Sequence, residues 1–377
     1  MPPAGLEENR MRRSCCCLVF LLLLVPVPAR PQAALAAEPL RLGMAGLVHG
    51  HASGFLTRYL KRQDVRLVGI AEPDQAVASR YRERFGLEPS MLFSDLEAML
   101  DKARPQAVVV FTDTFGHLRV VEACAARGIP VMMEKPLAVS VEHARAIERS
   151  SRNANIPVMV NYETTWYASN RAAWDLVKGQ KAIGDIRKIV VHDGHSGPKA
   201  INVQPEFLAW LTDPVRNGAG ALFDFGCYGA NLMTWLMDGE RPLAVTAVTQ
   251  RFQPDVYREV EDEATILVEY PSAQGIIQAS WNWPFDRKDM EIYCQRGQVF
   301  ALRGDGLRIR MTGQQEAQST AAPIPAPEDD FVRYLAAVVR KEIKPAGLSS
   351  LENNLIVTDI LDAARRSAAT GKRVVFQ

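Results

Sequence analysis

The chain has no surplus of charge of either sign. Its 377 residues carry 44 Lys+Arg against 43 Asp+Glu, a formal net charge of +1. That excludes an electrostatic tail and leaves no basic footprint for nucleic acid. Cysteine is scarce: six in all, three of them consecutive at Cys15, Cys16 and Cys17. The others, Cys124, Cys227 and Cys294, stand too far apart for a disulfide framework or a metal-ligand spacing, and are expected to be buried thiols. Internal repeats and low-complexity tracts are also absent, although 314–327 has the composition of a mobile loop.

Only one long hydrophobic run is present, CCCLVFLLLLV at 15–25. Arg10, Arg12 and Arg13 precede it and Ala34-Leu35-Ala36 follows it, which is the layout of a secretory signal peptide covering 1–37. The run is too short for a membrane span. The expectation is an exported, periplasmic protein with no membrane association once the signal is removed. The Arg12-Arg13 pair lacks the continuation of a twin-arginine signal, so the export route stays open between Sec and Tat.

With 47% hydrophobic and 23% charged residues, the remaining length suits two globular domains. From residue 40 to about 136, short apolar runs alternate with helical segments. Strands are expected at 40–45, 65–71, 107–111 and 131–133, and helices at 53–62, 75–85, 94–102 and 117–127. That alternation predicts a parallel, doubly wound sheet, closed by a helix at 141–153 and a strand at 158–161. Beyond Tyr162 the rhythm changes. A helix at 171–178 leads to a strand at 186–192, and after a helix near 230–237 come five strands at 243–250, 264–270, 275–283, 290–294 and 298–302. Strands without intervening helices predict an α+β domain with a large open, mostly antiparallel sheet. A helix at 349–370, capped by Ser349 with Glu352 and stopped by Gly371, ends the chain.

The turn after the first strand reads GMAGLVHGHASG, 43–54. In a dinucleotide-binding turn the first glycine permits the bend, the second admits pyrophosphate and the third lets the helix pack. Taking Gly46 as first puts Val48 in the second place and His51 in the third. The expectation is a modified cofactor loop of Gly46, Leu47, Val48 and His49, with His49 or His51 supplying a side-chain donor. Glu72 ends the second strand, 26 residues beyond Gly46, where a carboxylate accepts from ribose hydroxyls. Pro73 and Asp74 follow it rather than arginine, which favours NAD over NADP. Two further turns carry polar groups: Thr112 to His117 after the third strand, and Glu134-Lys135-Pro136 after the fourth.

Together the AEPD turn at 71–74, the Thr112/His117 turn, Glu134-Lys135-Pro136, the stretch 218–231 (GAGALFDFGCYGAN) and the closing helix with its Thr-Gly-Lys-Arg ending resemble the glucose–fructose oxidoreductase / inositol dehydrogenase (Gfo/Idh/MocA) family, over about 40–376. The resemblance implies an N-terminal Rossmann domain followed by an α/β domain whose open sheet forms a homodimer or homotetramer interface. It implies a nicotinamide cofactor and a carbohydrate or polyol substrate. It places Thr112, His117, Glu134 and Lys135 at the cofactor, with Lys135 hydrogen-bonded to the reacting carbinol. Many relatives carry Asp-x-Gly-x-His, with histidine as acid/base; here Asp224-Phe-Gly-Cys-Tyr228 puts tyrosine there, as in the glucose–fructose oxidoreductase and dihydrodiol dehydrogenase branch. A phenol of ordinary pKa near ~10 needs help to act as a base, and the Lys135 cation is expected to favour the phenolate, with Asp224 orienting substrate hydroxyls. The Asp-Phe-Gly tripeptide lacks every companion motif of a protein kinase.

Tyr162, His195 and Lys199 are the expected substrate contacts. His192 and His195, three apart on a strand leading into a loop, do not make a metal site, and no metal is assigned. Residues 161–166 (NYETTW) replace the Asn-Arg-Arg-Phe-like run common in relatives, which weakens any inference about substrate. Trp281 and Trp283 face a sugar, the sheet packing or a subunit interface. The division is then a signal at 1–37, a Rossmann domain at 38–160, a substrate and oligomerisation domain at 161–348, and at 349–377 a helix and end segment packing back on the Rossmann domain. The expected activity is an exported NAD(P)-dependent oxidoreductase on CH–OH groups, with tightly held NAD, Tyr228 as acid/base and Lys135 as its partner. The alternatives are a redox-neutral NAD-dependent glycosidase or lyase on the same site, and a non-catalytic sugar sensor.

Overall fold

The structure, a computed structural model, describes residues 38–376; the expected signal segment lies outside the described residues. Six parallel strands make the first sheet: β1 (Leu40–Ala45), β2 (Val65–Ala71), β3 (Leu92–Phe93), β4 (Ala107–Val110), β5 (Val131–Glu134) and β6 (Val158–Asn161). Their order is 3-2-1-4-5-6. β4 and β5 are buried at every position, as strands covered by helices on both faces must be. The covering helices are α1 (His51–Tyr59), α2 (Gln75–Phe85), α3 (Leu96–Ala103), α4 (His117–Ala125) and α5 (Val141–Ala154). Local chemistry sets their ends. Asp74 caps α2 by accepting from the N–H groups of Ala76 and Val77, and Gly86 stops it at φ +63°. Ser140 caps α5, and Asn155 ends it in the left-handed region.

α6 (Ala168–Trp174) runs into a π-turn at Asp175–Gly179 and leads to the second sheet. This sheet contains β7 (Ile186–Gly194), β8 (Ala244–Gln250), β9 (Glu263–Glu269), β10 (Gln274–Ser280), β11 (Arg287–Cys294), β12 (Gly297–Ala301), β13 (Gly306–Met311), β14 (Ala317–Thr320) and β15 (Val374–Val375). The order is 14-13-12-11-7-10-9-8-15, and every pairing is antiparallel except β10 with β7. Between β7 and β8 the chain forms four helices: α7 (Pro205–Leu211), α8 (Pro214–Asn217), α9 (Ala221–Asp224) and α10 (Gly226–Leu236). α10 is buried at all but one of its positions and lies against β7 and β10 on one side and α12 (Leu351–Thr370) on another. α11 (Phe331–Val339) precedes α12. No described helix is long and apolar enough to cross a membrane.

Four expectations need correction. Residues 331–339 fall within the expected second domain, yet Phe331, Val332 and Leu335 share a core with Leu40, Leu42, Phe55 and Leu56 of the first sheet's layer. The end segment adds β15 to β8 of the second sheet instead of returning to the first, and α12 packs on β8 and α10 as well as on α5 and β6. α12 is capped by Ser350, which accepts from Asn353 N–H, not by Ser349. The stretch 314–327 contains β14, an exposed edge strand paired with β13.

Asn354 is the polar pin of this arrangement. It has no solvent exposure. Its Oδ1 accepts from Tyr162 Oη at 2.9 Å, and its Nδ2 donates to Leu348 O at 2.9 Å and Ser350 O at 2.8 Å. β6, α10 and α12 meet there, because Asn231 of α10 also donates to Leu348 O. Asn354→Leu should therefore lower the free energy of unfolding by about 2–4 kcal/mol, since it leaves buried polar groups unpaired. Urea unfolding would measure this; a loss below about 0.5 kcal/mol would mean that the network contributes nothing net.

Candidate active site

Backbone geometry explains why residue 46 is glycine. It sits at φ +82°, and a Cβ there would lie 2.8 Å from Phe111 O and Thr112 N. Three amides of the loop are engaged within the protein. Gly46 N–H donates to Ala71 O (2.8 Å), Leu47 N–H to Glu72 Oε2 (2.7 Å) and His49 N–H to Phe111 O (3.0 Å). Glu72 is buried, and its other oxygen accepts from Asp74 N–H at 2.9 Å. The carboxylate expected to hold ribose thus first clamps β1's turn to β2's. Burial raises its pKa, against the two backbone N–H donors.

A cavity of about 540 Å³ opens beside this turn, lined by Gly46, Val48, Glu72, Asp74, Thr112 and Arg216 among others. Its size and open strand ends suit the nucleoside half of a dinucleotide. Arg216, one of its two arginines, is already paired with Asp113 (2.6 Å). A wall holding Glu72, Asp74, Asp113 and Glu206 favours a ribose 2′-hydroxyl over a 2′-phosphate. Further along, Thr112 Oγ1 donates to Asp113 O. His117 is buried with Nδ1 3.2 Å from Leu137 O, and its Nε2 has no partner in the structure. An orphaned ring nitrogen at this strand end fits a polar cofactor group. The structure therefore accommodates NAD.

The loop histidines do not face a phosphate as expected. His49 is buried beneath Phe207 and Trp210 of α7, with ring centroids 5.0 and 5.6 Å away. Desolvation takes its pKa well below 6.5, so it offers no cationic donor. Its Nδ1 accepts from His51 N–H at 3.1 Å. His51 turns to Glu134, Nδ1 to Oε2 at 3.0 Å. Asn161 Nδ2 holds the other oxygen of Glu134 at 2.9 Å. Burial would raise the Glu134 pKa, but the charge and hydrogen bond of His51 outweigh it and hold it at about 2. α7 also covers Val48, whose carbonyl accepts from Trp210 Nε1 at 3.1 Å, and Phe207 sits where a Cβ on Gly50 would be.

At the end of β5 the chain delivers Lys135 to the second domain. Its Nζ donates to Asp224 Oδ1 at 2.5 Å and Asp224 O at 2.9 Å, and the pair is almost wholly buried. Asp224 Oδ2 accepts from Trp281 Nε1 at 2.9 Å. Both oxygens are thus committed, so Asp224 positions Lys135 rather than orienting substrate. Tyr228, one turn into α10, is 1% exposed. The Lys135 Nζ lies 5.2 Å from its ring centroid and that of Lys288 4.7 Å. Burial first, then the carboxylates of Glu163 and Asp224 and the Cys227 thiol, push the Tyr228 pKa well above 10. The sequence expectation of a phenolate favoured by Lys135 is not met, because burial outweighs the charge of that lysine, and Tyr228 is a phenol at neutral pH.

Three residues of this cluster were missed. Lys288 of β11 pairs with Glu163, and Asp193 of β7 lies opposite Lys288 across the sheet. Asp193 is 1% exposed, neither of its oxygens has a partner, and burial raises its pKa well above the ordinary value. Its signal in the sequence was a carboxylate inside an apolar strand, VVHDG. Lys288 gave none, since an Arg-Lys-Asp run reads as solvated surface. Of the expected substrate contacts, His195 reaches the site, edge-on to Phe225 with centroids 4.8 Å apart. Tyr162 does not serve as one: it is fully buried, bonded to Asn354, with its ring edge against Tyr228 at 5.4 Å. Lys199 is exposed, and only its backbone is engaged, its N–H by Tyr257 Oη and its carbonyl by Asn202 N–H. His192 lies 3.2 Å from Asp289, and Trp283 packs on its ring.

Two family models match the chain. Residues 40–162 match the oxidoreductase family with an NAD-binding Rossmann fold, GFO/IDH/MocA, and residues 170–300 match the GFO/IDH/MocA C-terminal domain. The chain is 21% identical over 346 residues to trans-1,2-dihydrobenzene-1,2-diol dehydrogenase of Sus scrofa, covering 87% of this chain and 96% of that protein. It is 28% identical over 315 residues to the Xenopus tropicalis enzyme of that name, covering 80% and 89%. Among solved structures, an inositol dehydrogenase homologue from Azotobacter vinelandii in complex with NAD+ shares the fold at TM-score 0.78 and 20% identity, over 90% of this chain and 98% of that one. An aldose–aldose oxidoreductase from Caulobacter crescentus in complex with glycerol does so at TM-score 0.76 and 23% identity, over 90% and 100%.

The Lys135–Asp224 pair makes a stability prediction. Burial alone would raise the Asp224 pKa, but Lys135 holds it below its ordinary value of 3.8. The stability it contributes is present above that pH and is lost as pH falls through the lower, folded-state value. Asp224→Asn should cost about 3–5 kcal/mol at neutral pH by leaving a buried ammonium unpaired. It should also flatten the loss of stability below about pH 4. The double variant Lys135→Met/Asp224→Leu should recover most of that stability. Urea unfolding at several pH values would check all three, and an Asp224→Asn curve parallel to wild type in acid would contradict the assignment.

Proposed function

Because the chain belongs to the GFO/IDH/MocA family of oxidoreductases with an NAD-binding Rossmann fold, we propose that it moves a hydride between NAD and a CH–OH carbon of a sugar or polyol, with Tyr228 as proton donor and acceptor. One observation carries this reading: the Tyr228 ring lies 5.2 Å from the Lys135 ammonium and 4.7 Å from that of Lys288, next to a strand end that faces the cofactor cleft. Bound NAD supplies or accepts the hydride at its nicotinamide ring. In reduction, the Tyr228 hydroxyl gives its proton to the substrate's carbonyl oxygen while that carbon gains the hydride, and solvent then returns the proton to the phenolate. Lys135 and Lys288 stabilise the negative charge developing on that oxygen, and the buried site strengthens their effect. Oxidation is the reverse and requires the Tyr228 proton to be absent first, so the raised phenol pKa makes oxidation rise with pH.

The substrate class is supported by relatives whose names specify a diol and by structural neighbours bound to glycerol or named for inositol and aldoses. Export is part of the proposal and rests on the basic, apolar and Ala-Leu-Ala pattern of 1–37. An exported member must carry its dinucleotide with it, already bound. A second copy covering the outer face of the large sheet is proposed from the exposure there of Val248 (63%) and Leu267 (37%).

Two measurements test the reading. Heat denaturation of the purified protein should release about one NAD per chain, identified by mass spectrometry. Tyr228→Phe should lower kcat by roughly 10²- to 10⁴-fold with that NAD content unchanged. Full activity in Tyr228→Phe, or protein that never holds NAD, would sink the proposal.

A further inference from the structure

The departures of the loop from the dinucleotide pattern place two histidines beside a carboxylate. Ligand atoms of His49, His51 and Glu134 all lie within 4.8 Å of one another. The histidines come from the turn after β1 and the first residue of α1, and the glutamate from the end of β5. We infer that these three side chains form a binding site for a divalent transition-metal ion. The site does not depend on the proposed hydride chemistry.

Four features support it. First, His51 Nδ1 and Glu134 Oε2 are 3.0 Å apart. Two bonds of about 2.1 Å to one ion, meeting near a right angle, span that separation. Second, His49 is buried, one of its nitrogens takes the His51 N–H, and Nε2 has no partner. An imidazole with an unused nitrogen is a ready ligand. Third, the Glu134 oxygen that does not face His51 accepts from Asn161, the kind of outer hydrogen bond that fixes a ligating carboxylate. Fourth, one side is open. His51 and Glu134 border a cavity of about 320 Å³, which leaves positions for water or a substrate hydroxyl.

Two imidazoles and one carboxylate with vacant positions suit Fe²⁺, Co²⁺, Mn²⁺ or Zn²⁺ better than Mg²⁺ or Ca²⁺. The other histidine–carboxylate cluster, His192 with Asp289 and Glu291, is different, because the Arg287 guanidinium already supplies its cation at 2.6 Å from Asp289. His51, in the third-glycine place, thus has a chemical reason to be there.

The test uses the full chain, stripped with a chelator and titrated with Co²⁺ and then Zn²⁺. One Co²⁺ per chain is expected, with visible d–d absorption of a nitrogen/oxygen site that Zn²⁺ abolishes. His51→Ala, at a position whose side chain is half-exposed, should weaken Co²⁺ binding about 100-fold or more. Asn161→Ala, which removes the hydrogen bond to Glu134 together with the one that Asn161 Oδ1 accepts from Trp166 Nε1, should weaken it about 10- to 100-fold. No d–d band in the wild type, or a Co²⁺ affinity unchanged in both variants, would overturn the inference.

Discussion

The buried ion pair between Lys135 and Asp224 is the constraint on which the site depends. Lys135 leaves the first sheet at the end of β5, and Asp224 closes the short helix before α10, so one contact joins the two halves at the cleft. A charge removed from water is tolerated only when its partner and remaining hydrogen bonds are in place. Asp224 meets that condition through its own carbonyl and through Trp281. The depth at which Tyr228 sits follows, because it lies one turn further along the same chain. The pair thus fixes which atoms of the second domain face the strand ends of the first.

Most of the architecture was legible because it rests on periodicity. Apolar runs separated by amphipathic segments gave the first sheet nearly strand for strand, and Glu134-Lys135-Pro136 with Asp224 to Tyr228 marked both sides of the cleft. Periodicity does not reveal partners. Glu72 stood at the expected place, but the two backbone N–H groups that it accepts from are a product of how two turns meet. Tyr162 was a polar aromatic in a motif position, and only the fold shows its hydroxyl spent on Asn354. Lys288 and Asp193 come together by antiparallel register, a long-range property that neither local stretch contains. The phenol's protonation state was misjudged for the same reason, since it depends first on how deeply the fold buries Tyr228.

The glycine loop shows how one element can keep its shape while changing its chemistry. Gly46 still makes the bend, and no other residue fits there. The positions that would let pyrophosphate and helix approach closely carry Val48 and His51 instead. Side chains have replaced bare backbone: Val48 lines the cavity beside the turn, and His51 turns to Glu134.

That cover has a consequence for motion as well as for shape. Phe207 packs on Gly50 and Trp210 bonds the carbonyl of Val48, so α7 closes the turn from outside. The turn therefore cannot move alone: its backbone is released only when the Trp210 hydrogen bond breaks and two aromatic rings come away from His49.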